Sequence, residues 1–198
     1  MKKFELTTEF ITNMFGKKLF RIKALVEFGN VKAGELGGYV EKEENVSQDG
    51  NAWVSGNAEV SGNARVSGNA RVYDNAWVSG NAEVYGDAWV SGNAWVYGNA
   101  EVYGDAWVSG NAWVSGNARV SSDADYALVQ GFGTEFRCTT FYRGKNKKIM
   151  VNCGCFHGDL EGFRKQVKET RNGKIAKEYL MIADLMEYHF TSEDSSNE

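Results

Sequence analysis

From Asn51 to Asp123 a single hexapeptide, N-A-x-V-x-G, recurs with almost no deviation. Valine stands at 54, 60, 66, 72, 78, 84, 90, 96, 102, 108, 114 and 120. Alanine precedes each valine by two residues, from Ala52 to Ala118, and recurs once more at Ala124. Asn or Asp stands before every one of these alanines. A period of six is a signature of the parallel β-helix class of solenoid.

Alternation explains the pattern. In A-x-V-x-G-N, alanine and valine point one way and the two variable positions the other, as in a strand. Gly-Asn then makes the corner, because both residues tolerate backbone angles that a β-branched residue resists. Asp74 replaces glycine once, in VYDNA. Three hexads complete a triangular coil of 18 residues, so twelve valines specify four coils, roughly 19 Å of stack at ~4.8 Å per rung. The chain has 23 glycines and no proline, and eleven of those glycines, Gly50 to Gly116, fall in the repeat turns or their lead-in. Proline is disfavoured because a paired rung needs its amide hydrogens.

Over Asn51–Ala124 the chain resembles the left-handed β-helix of the hexapeptide-repeat family. The family's aliphatic position maps to the valines and its small position to the alanines. Glycine here stands two residues after valine, where many members place it one after. The resemblance implies left-handed winding, an exception to the usual crossover hand, and assembly as a trimer.

Residues i and i+18 stack, which sorts the outward positions into three columns. The first carries Trp53, Arg71, Trp89 and Trp107. The second carries Glu59, Trp77, Trp95 and Trp113, and the third Arg65, Glu83, Glu101 and Arg119. All six tryptophans therefore fall outside the coil on two faces. Such columns stack rung on rung, and contiguous aromatic surface of this kind also makes interfaces. These six residues are the expected self-association surface. The third face, where Arg65 meets Glu83 and Glu101 meets Arg119, reads as solvated. At one corner Asp87, Asp105 and Asp123 fall 18 apart, beside Tyr85 and Tyr103. They are candidates for a cation or ligand, or they simply accept hydrogen bonds from turn amides.

The two ends read differently. Residues 1–50 form a capping segment in which LFRIKALVEF suits strands. Val46 lies eight residues before Val54, an insertion of two relative to the period. Residues 125–190 read as a small α+β module of ββαα order. FRCTTFYR and KKIMVNCGCF form two strands, and Asp159 caps a helix bearing Leu160, Phe163 and Val167. A second helix carries Ile175, Tyr179, Ile182, Met186 and Phe190. Residues 191–198 are expected to form a flexible tail. The end module, with CGCF followed by G-x-L-x-x-F and VKET, resembles a domain of unknown function found in phage and prophage proteins. The lead-in LFRIKAL…VKAGELGGYVE is similar to that of phage solenoids. The expected class is therefore mainly β: a left-handed parallel β-helix with an N-terminal cap and a C-terminal module.

Known chemistries of the hexapeptide-repeat family need histidine, as an acyl-transfer base or as a zinc ligand. Only His157 and His189 are present, both beyond the repeat, so neither activity carries over and no cofactor is expected. Cys138, Cys153, Cys155 and His157 are a weak candidate zinc set against the commoner reading of packing cysteines. Three cysteines are too few for a disulfide framework. With no apolar export signal near the start and no long apolar run, a cytoplasmic location off the membrane is expected. Bases cluster at Arg143, Lys145, Lys147, Lys148, Arg164, Lys165 and Lys168 within an otherwise neutral module. That arrangement fits a solvated helix face better than a nucleic-acid site. The functional expectation is a non-enzymatic binding protein that forms a homotrimer. By analogy its expected partner is a host protein, an anti-phage defence factor that it inhibits. A small-ligand binder for a nucleotide or polyol, and an atypical acyltransferase, are the alternatives.

Overall fold

The structure, a computed structural model, describes residues 2–191. It opens with an antiparallel hairpin, β1 (Phe4–Thr12) and β2 (Lys18–Ala24), followed by β3 (Leu36–Val40). Twelve two-residue strands follow, β4 (Trp53–Val54) to β15 (Arg119–Val120), one for each repeat valine. They stack in parallel as three sheets, with Trp53, Arg71, Trp89 and Trp107 in register on one. Glu59, Trp77, Trp95 and Trp113 align on the second, and Arg65, Glu83, Glu101 and Arg119 on the third. The three outward columns are those the 18-residue spacing predicts. Every repeat valine from Val54 to Val120 is fully buried, as is every alanine from Ala52 to Ala118 within 1%. Each such valine contributes roughly 1.5 kcal/mol.

The corners divide their labour differently from expectation. Only glycine takes the left-handed conformation, at φ between +65° and +76° in the repeat, with Asp74 following at +61°. A Cβ on Gly80 would also lie 2.9 Å from the Gly98 amide nitrogen, one coil above. The asparagines keep ordinary backbone angles and instead form side-chain ladders up the stack. In one, Asn63, Asn81 and Asn99 each donate a side-chain N–H to the amide oxygen of the asparagine above, ending at Asn117, at 3.0–3.2 Å.

The lead-in adds a fifth turn to the four expected. β3 pairs with Glu59–Val60, Val40 lying beside Val60, and Val46 bridges Val66. Both offsets are two residues longer than the repeat, and Ser47–Gly50 absorbs the excess. Gly37 and Gly38 permit this turn, since a Cβ on Gly37 would reach within 2.6 Å of the Val54 carbonyl oxygen.

The stack is polar along its axis, because each rung donates its N–H groups to the carbonyls of the rung above, as Trp53 does to Ala70. The first coil therefore has carbonyls with no rung beneath, and the last has N–H groups with none above. Buried polar groups need partners. At the start Lys3 Nζ bonds the Ala52 and Gly50 carbonyls, and Asn45 Nδ2 bonds those of Ala64 and Gly62. At the finish the Trp107 N–H donates to Asp123 Oδ1, and the Trp113 N–H to Thr140 Oγ1. Asp125 accepts from the Ser121 and Ser122 amides.

The C-terminal module has four antiparallel strands where the sequence predicts two: β16 (Tyr126–Val129), β17 (Thr139–Arg143), β18 (Ile149–Cys153) and β19 (Phe156–Asp159). The added strands are four residues long and flank the predicted pair: FHGD has no apolar run, and the apolar YALV is at the shortest length that marks a strand. Tyr142 turns down and closes the solenoid core. Phe141 turns up into a second core with Val151, Phe163 and Met186. Helices α1 (Leu160–Thr170) and α2 (Gly173–Thr191) follow. Asp159 caps α1 by accepting from the Gly162 N–H at 2.9 Å, which holds its carboxyl below the ordinary range. Among the described residues no helix is long and apolar enough to cross a membrane. The expected tail, Thr191 apart, lies outside the described residues.

Candidate interaction surface

The second face of the solenoid carries an aromatic ladder. Parallel register places Trp77, Trp95 and Trp113 one above another. Trp95 stacks on Trp113 with centroids 5.0 Å apart and an interplanar angle of 13°. Trp77 meets Trp95 edge-on at 4.5 Å. Phe15, at the tip of the β1–β2 hairpin, extends the ladder by stacking on Trp77 at 4.6 Å and 12°. Asn13 Oδ1 sets that tip by accepting from the Phe15 and Lys17 amides. Between the tip and the upper rungs lies an open groove of about 510 Å³, walled by Phe15, Lys17, Trp95, Tyr97 and Trp113 and floored by serines and glycines. Serine and glycine at these corners leave the space that a larger side chain would fill.

Charge at the groove is confined to one end. Lys17 pairs with Glu41 at 2.8 Å, and that ammonium holds the Glu41 carboxyl below its ordinary range. Glu59 lies at the foot of the ladder, where burial pushes its carboxyl above the ordinary range.

The first face corrects one expectation. Trp53 is 2% exposed and belongs to the core, held edge-on by Phe4 at 6.2 Å and Phe28 at 5.4 Å. The N-terminal segment folds over this rung, so Trp53 is unavailable as an interface residue. Trp89 and Trp107 remain 43% and 47% exposed and meet edge to face at 6.0 Å. Trp107 is oriented by its indole N–H, which donates to Ser91 Oγ at 2.9 Å. The third face is charged, with Arg119 bonded to Glu101 at 3.2 Å.

At the acidic corner Asp87 accepts from the Asn69 amide side chain and Asp123 from the Trp107 N–H. Tyr85 and Tyr103 stack at 5.2 Å, and the Tyr85 hydroxyl donates to Glu101. Asp87 and Asp123 thus serve as hydrogen-bond acceptors of the scaffold. Asp105 occupies the same corner between them. Among the described residues no group of three His, Cys, Asp or Glu side chains is placed to hold a metal ion.

The cysteine and histidine set does not converge either. Gly154 and Cys155 form the turn between β18 and β19, so residues 153, 155 and 157 do not share the strand face their spacing suggests. Cys153 Sγ accepts from Thr139, and burial pushes the Cys138 thiol up. His157 instead joins a polar cluster that sequence reasoning missed. Its Nδ1 faces Asn152 Oδ1, Ser115 Oγ and the Tyr142 hydroxyl. Asn152 also donates to the Trp113 carbonyl. A nucleophile–base relay requires histidine to bridge two partners through its two nitrogens. Here all three partners meet one nitrogen and Ser115 is buried, so the cluster is the joint between module and solenoid.

The basic patch is largely dissolved by pairing. Arg143 bonds Asp125 at 2.9 Å and the Phe190 carbonyl. Arg164 is clamped by Asp184 and Glu187 at 2.7 and 2.8 Å, and its guanidinium is pushed further up by them. Lys148 meets Asp159, and Lys165 meets Glu169. Lys145 and Lys147 are exposed on the turn between β17 and β18, and Lys168 on α1. Most of these acids come from neighbouring elements, and only Lys165 and Glu169 pair at helical spacing.

Residues 64–80, a stretch just short of one coil, match the family described as the YdcK beta solenoid repeat. Together with the stacked sheets, this makes the chain a β-solenoid repeat protein. No curated protein matches the chain.

Proposed function

We propose that this chain is a non-enzymatic binding protein whose solenoid self-associates through its exposed aromatic columns. The observation that carries this reading is the ladder from Phe15 through Trp77 and Trp95 to Trp113, with its open groove. Large aromatic side chains in contiguous exposed arrays favour association, because burying them gains apolar area at little conformational cost. Trp89 and Trp107 on the adjacent face supply a second column. Copies that join through these two faces can close into a ring, and a homotrimer is the assembly we propose. Light scattering on the full chain and on W95S/W113S tests the reading. A trimer that falls to lower mass in the variant supports it, and a monomeric parent chain overturns it.

The groove supports a second reading. Its volume falls within the ~300–1,000 Å³ of ligand sites, and aromatic walls suit a planar base or the apolar face of a sugar. Thermal shift with nucleotides and polyols separates the two, since only this reading requires a ligand response lost in W95S/W113S. The resemblance of the lead-in and end module to phage proteins supports a phage or prophage setting. There the assembled solenoid would act in the host cytoplasm by occupying a host protein, with a defence factor as the candidate target. That step rests on analogy, and an affinity pull-down from host lysate with and without W95S/W113S tests it.

A further inference from the structure

The C-terminal module holds a cleft of about 190 Å³ between the loop before β17, the β18–β19 turn and the end of α1. It shares no residue with the aromatic groove of the solenoid. Its inner wall is apolar, where the buried Phe163 and Val167 face it. Two exposed arginines reach it from separate elements: Arg137 from the loop, and Arg171 at the residue that ends α1.

Neither guanidinium is clamped as Arg164 is. Arg171 donates to the Thr170 carbonyl oxygen at 3.2 Å and, among the described residues, pairs with no acid. Arg137 stands 3.9 Å from the Glu135 carboxylate, beyond hydrogen-bond distance, with both side chains more than half exposed. Such a pair is weak. Both positive charges act on one buried group in the cleft. Burial pushes the Tyr179 hydroxyl up, and the charges of Arg171 and Arg137 oppose it. The backbone is shaped around the nearer arginine. A Cβ on Gly154 would stand 3.0 Å from Arg137 Nη1. Phe136, directly before Arg137, is held at φ +50°, a conformation that bulky side chains disfavour. Two like charges that share a cleft repel each other, and an anion between them relieves the repulsion.

We propose that this cleft binds a compact oxyanion, a phosphate or carboxylate group, held between Arg137 and Arg171. The planar fork of each guanidinium matches either group with paired N–H donors. Gln166 lines the same cleft and offers a carboxamide donor. The space is smaller than the ~300 Å³ at which drug-sized sites begin, so it suits a free phosphate or a short-chain carboxylate rather than a whole nucleotide.

Calorimetric titration of the full chain with inorganic phosphate and, separately, with succinate tests this. Ionic strength is held constant, because salt screens exposed charges. Saturable binding of at least one probe is expected, with a dissociation constant that rises at least tenfold in R137Q and in R171Q. E135Q removes the acid that competes for Arg137 and should tighten binding. R65Q, at an exposed arginine on the third face of the solenoid, should change it by less than about twofold. All four positions are exposed, and a melting curve matching the parent chain confirms that each variant is folded. A response to phosphate alone identifies a phosphate site, and one to succinate alone a carboxylate site. The proposal is overturned if neither calorimetry nor thermal shift detects either probe. It is equally overturned by binding that survives R137Q or R171Q, or that R65Q weakens as much as they do.

Discussion

Lys3 Nζ donates a 2.9 Å hydrogen bond to the Ala52 carbonyl oxygen, where the first rung of the solenoid has no rung beneath it. Asp123, which accepts the Trp107 N–H at 2.7 Å, plays the opposite part at the other end. A parallel stack aligns its hydrogen bonds in one direction, so one end runs short of donors and the other of acceptors. The chain answers with an ammonium and a side-chain amide at the first end, and with carboxylates and a hydroxyl at the second. These caps close the edges through which solenoids otherwise aggregate.

The Lys3 cap has a pH signature. Burial outweighs the nearby Asp49 charge and pushes the ammonium down from 10.5 to about 8. Between those values the unfolded chain holds a proton that the folded chain lacks, so this site adds stability as pH rises. Urea unfolding at pH 7 and pH 10 should show the parent chain gaining on the order of 2 kcal/mol relative to K3M. A relative loss would mean that the carbonyls favour the ammonium more than burial opposes it.

Trp53 and Trp107 share one sheet and differ in role. Trp53→Ala should cost about 3–5 kcal/mol, as removal of a buried aromatic does. Trp107→Ser, at a half-exposed position, should cost about 1 kcal/mol or less in monomer stability. Equilibrium unfolding of both variants checks the contrast, and equal costs would contradict the burial of Trp53.

Gly80 and Asp74 occupy equivalent corners. Gly80→Ala forces a Cβ into the left-handed region and against the backbone of Gly98, and should cost more than about 2 kcal/mol. Asp74→Gly removes a strained residue but also the bond its carboxylate accepts from the Gly92 N–H. Its midpoint should therefore move by less than about 1 kcal/mol. Thermal melts that order the two the other way would refute the corner assignment.

The asparagine ladders predict a smaller, repeated effect. Asn81→Ala breaks one bond received from Asn63 and one given to Asn99, and should cost about 1 kcal/mol. Asn111, which accepts from Asn93 at the end of its ladder, should cost roughly half as much when changed to alanine. Chemical denaturation resolves this difference if the two variants are compared directly.

The coil, its three columns and its buried valines were legible in the chain because a strict period makes every rung a copy of the last. Once i and i+18 stack, neighbours follow by arithmetic, and Trp77, Trp95 and Trp113 must align. The two helices were legible for a related reason, since Phe163 and Val167, or Ile182 and Met186, repeat at helical spacing. The aperiodic ends allowed no such arithmetic. That Phe15 stacks on Trp77, that Phe4 and Phe28 bury Trp53, and that Tyr142 plugs the last coil each depend on where a non-repeating segment folds back. Those contacts join residues between 25 and 62 positions apart, or across the module joint, with no pattern to announce them. The solenoid's own geometry created the demand: unpaired carbonyls at one end, unpaired N–H groups at the other, and aromatic rings exposed between. Only the folded ends decided which of these were covered and which stayed open to a partner.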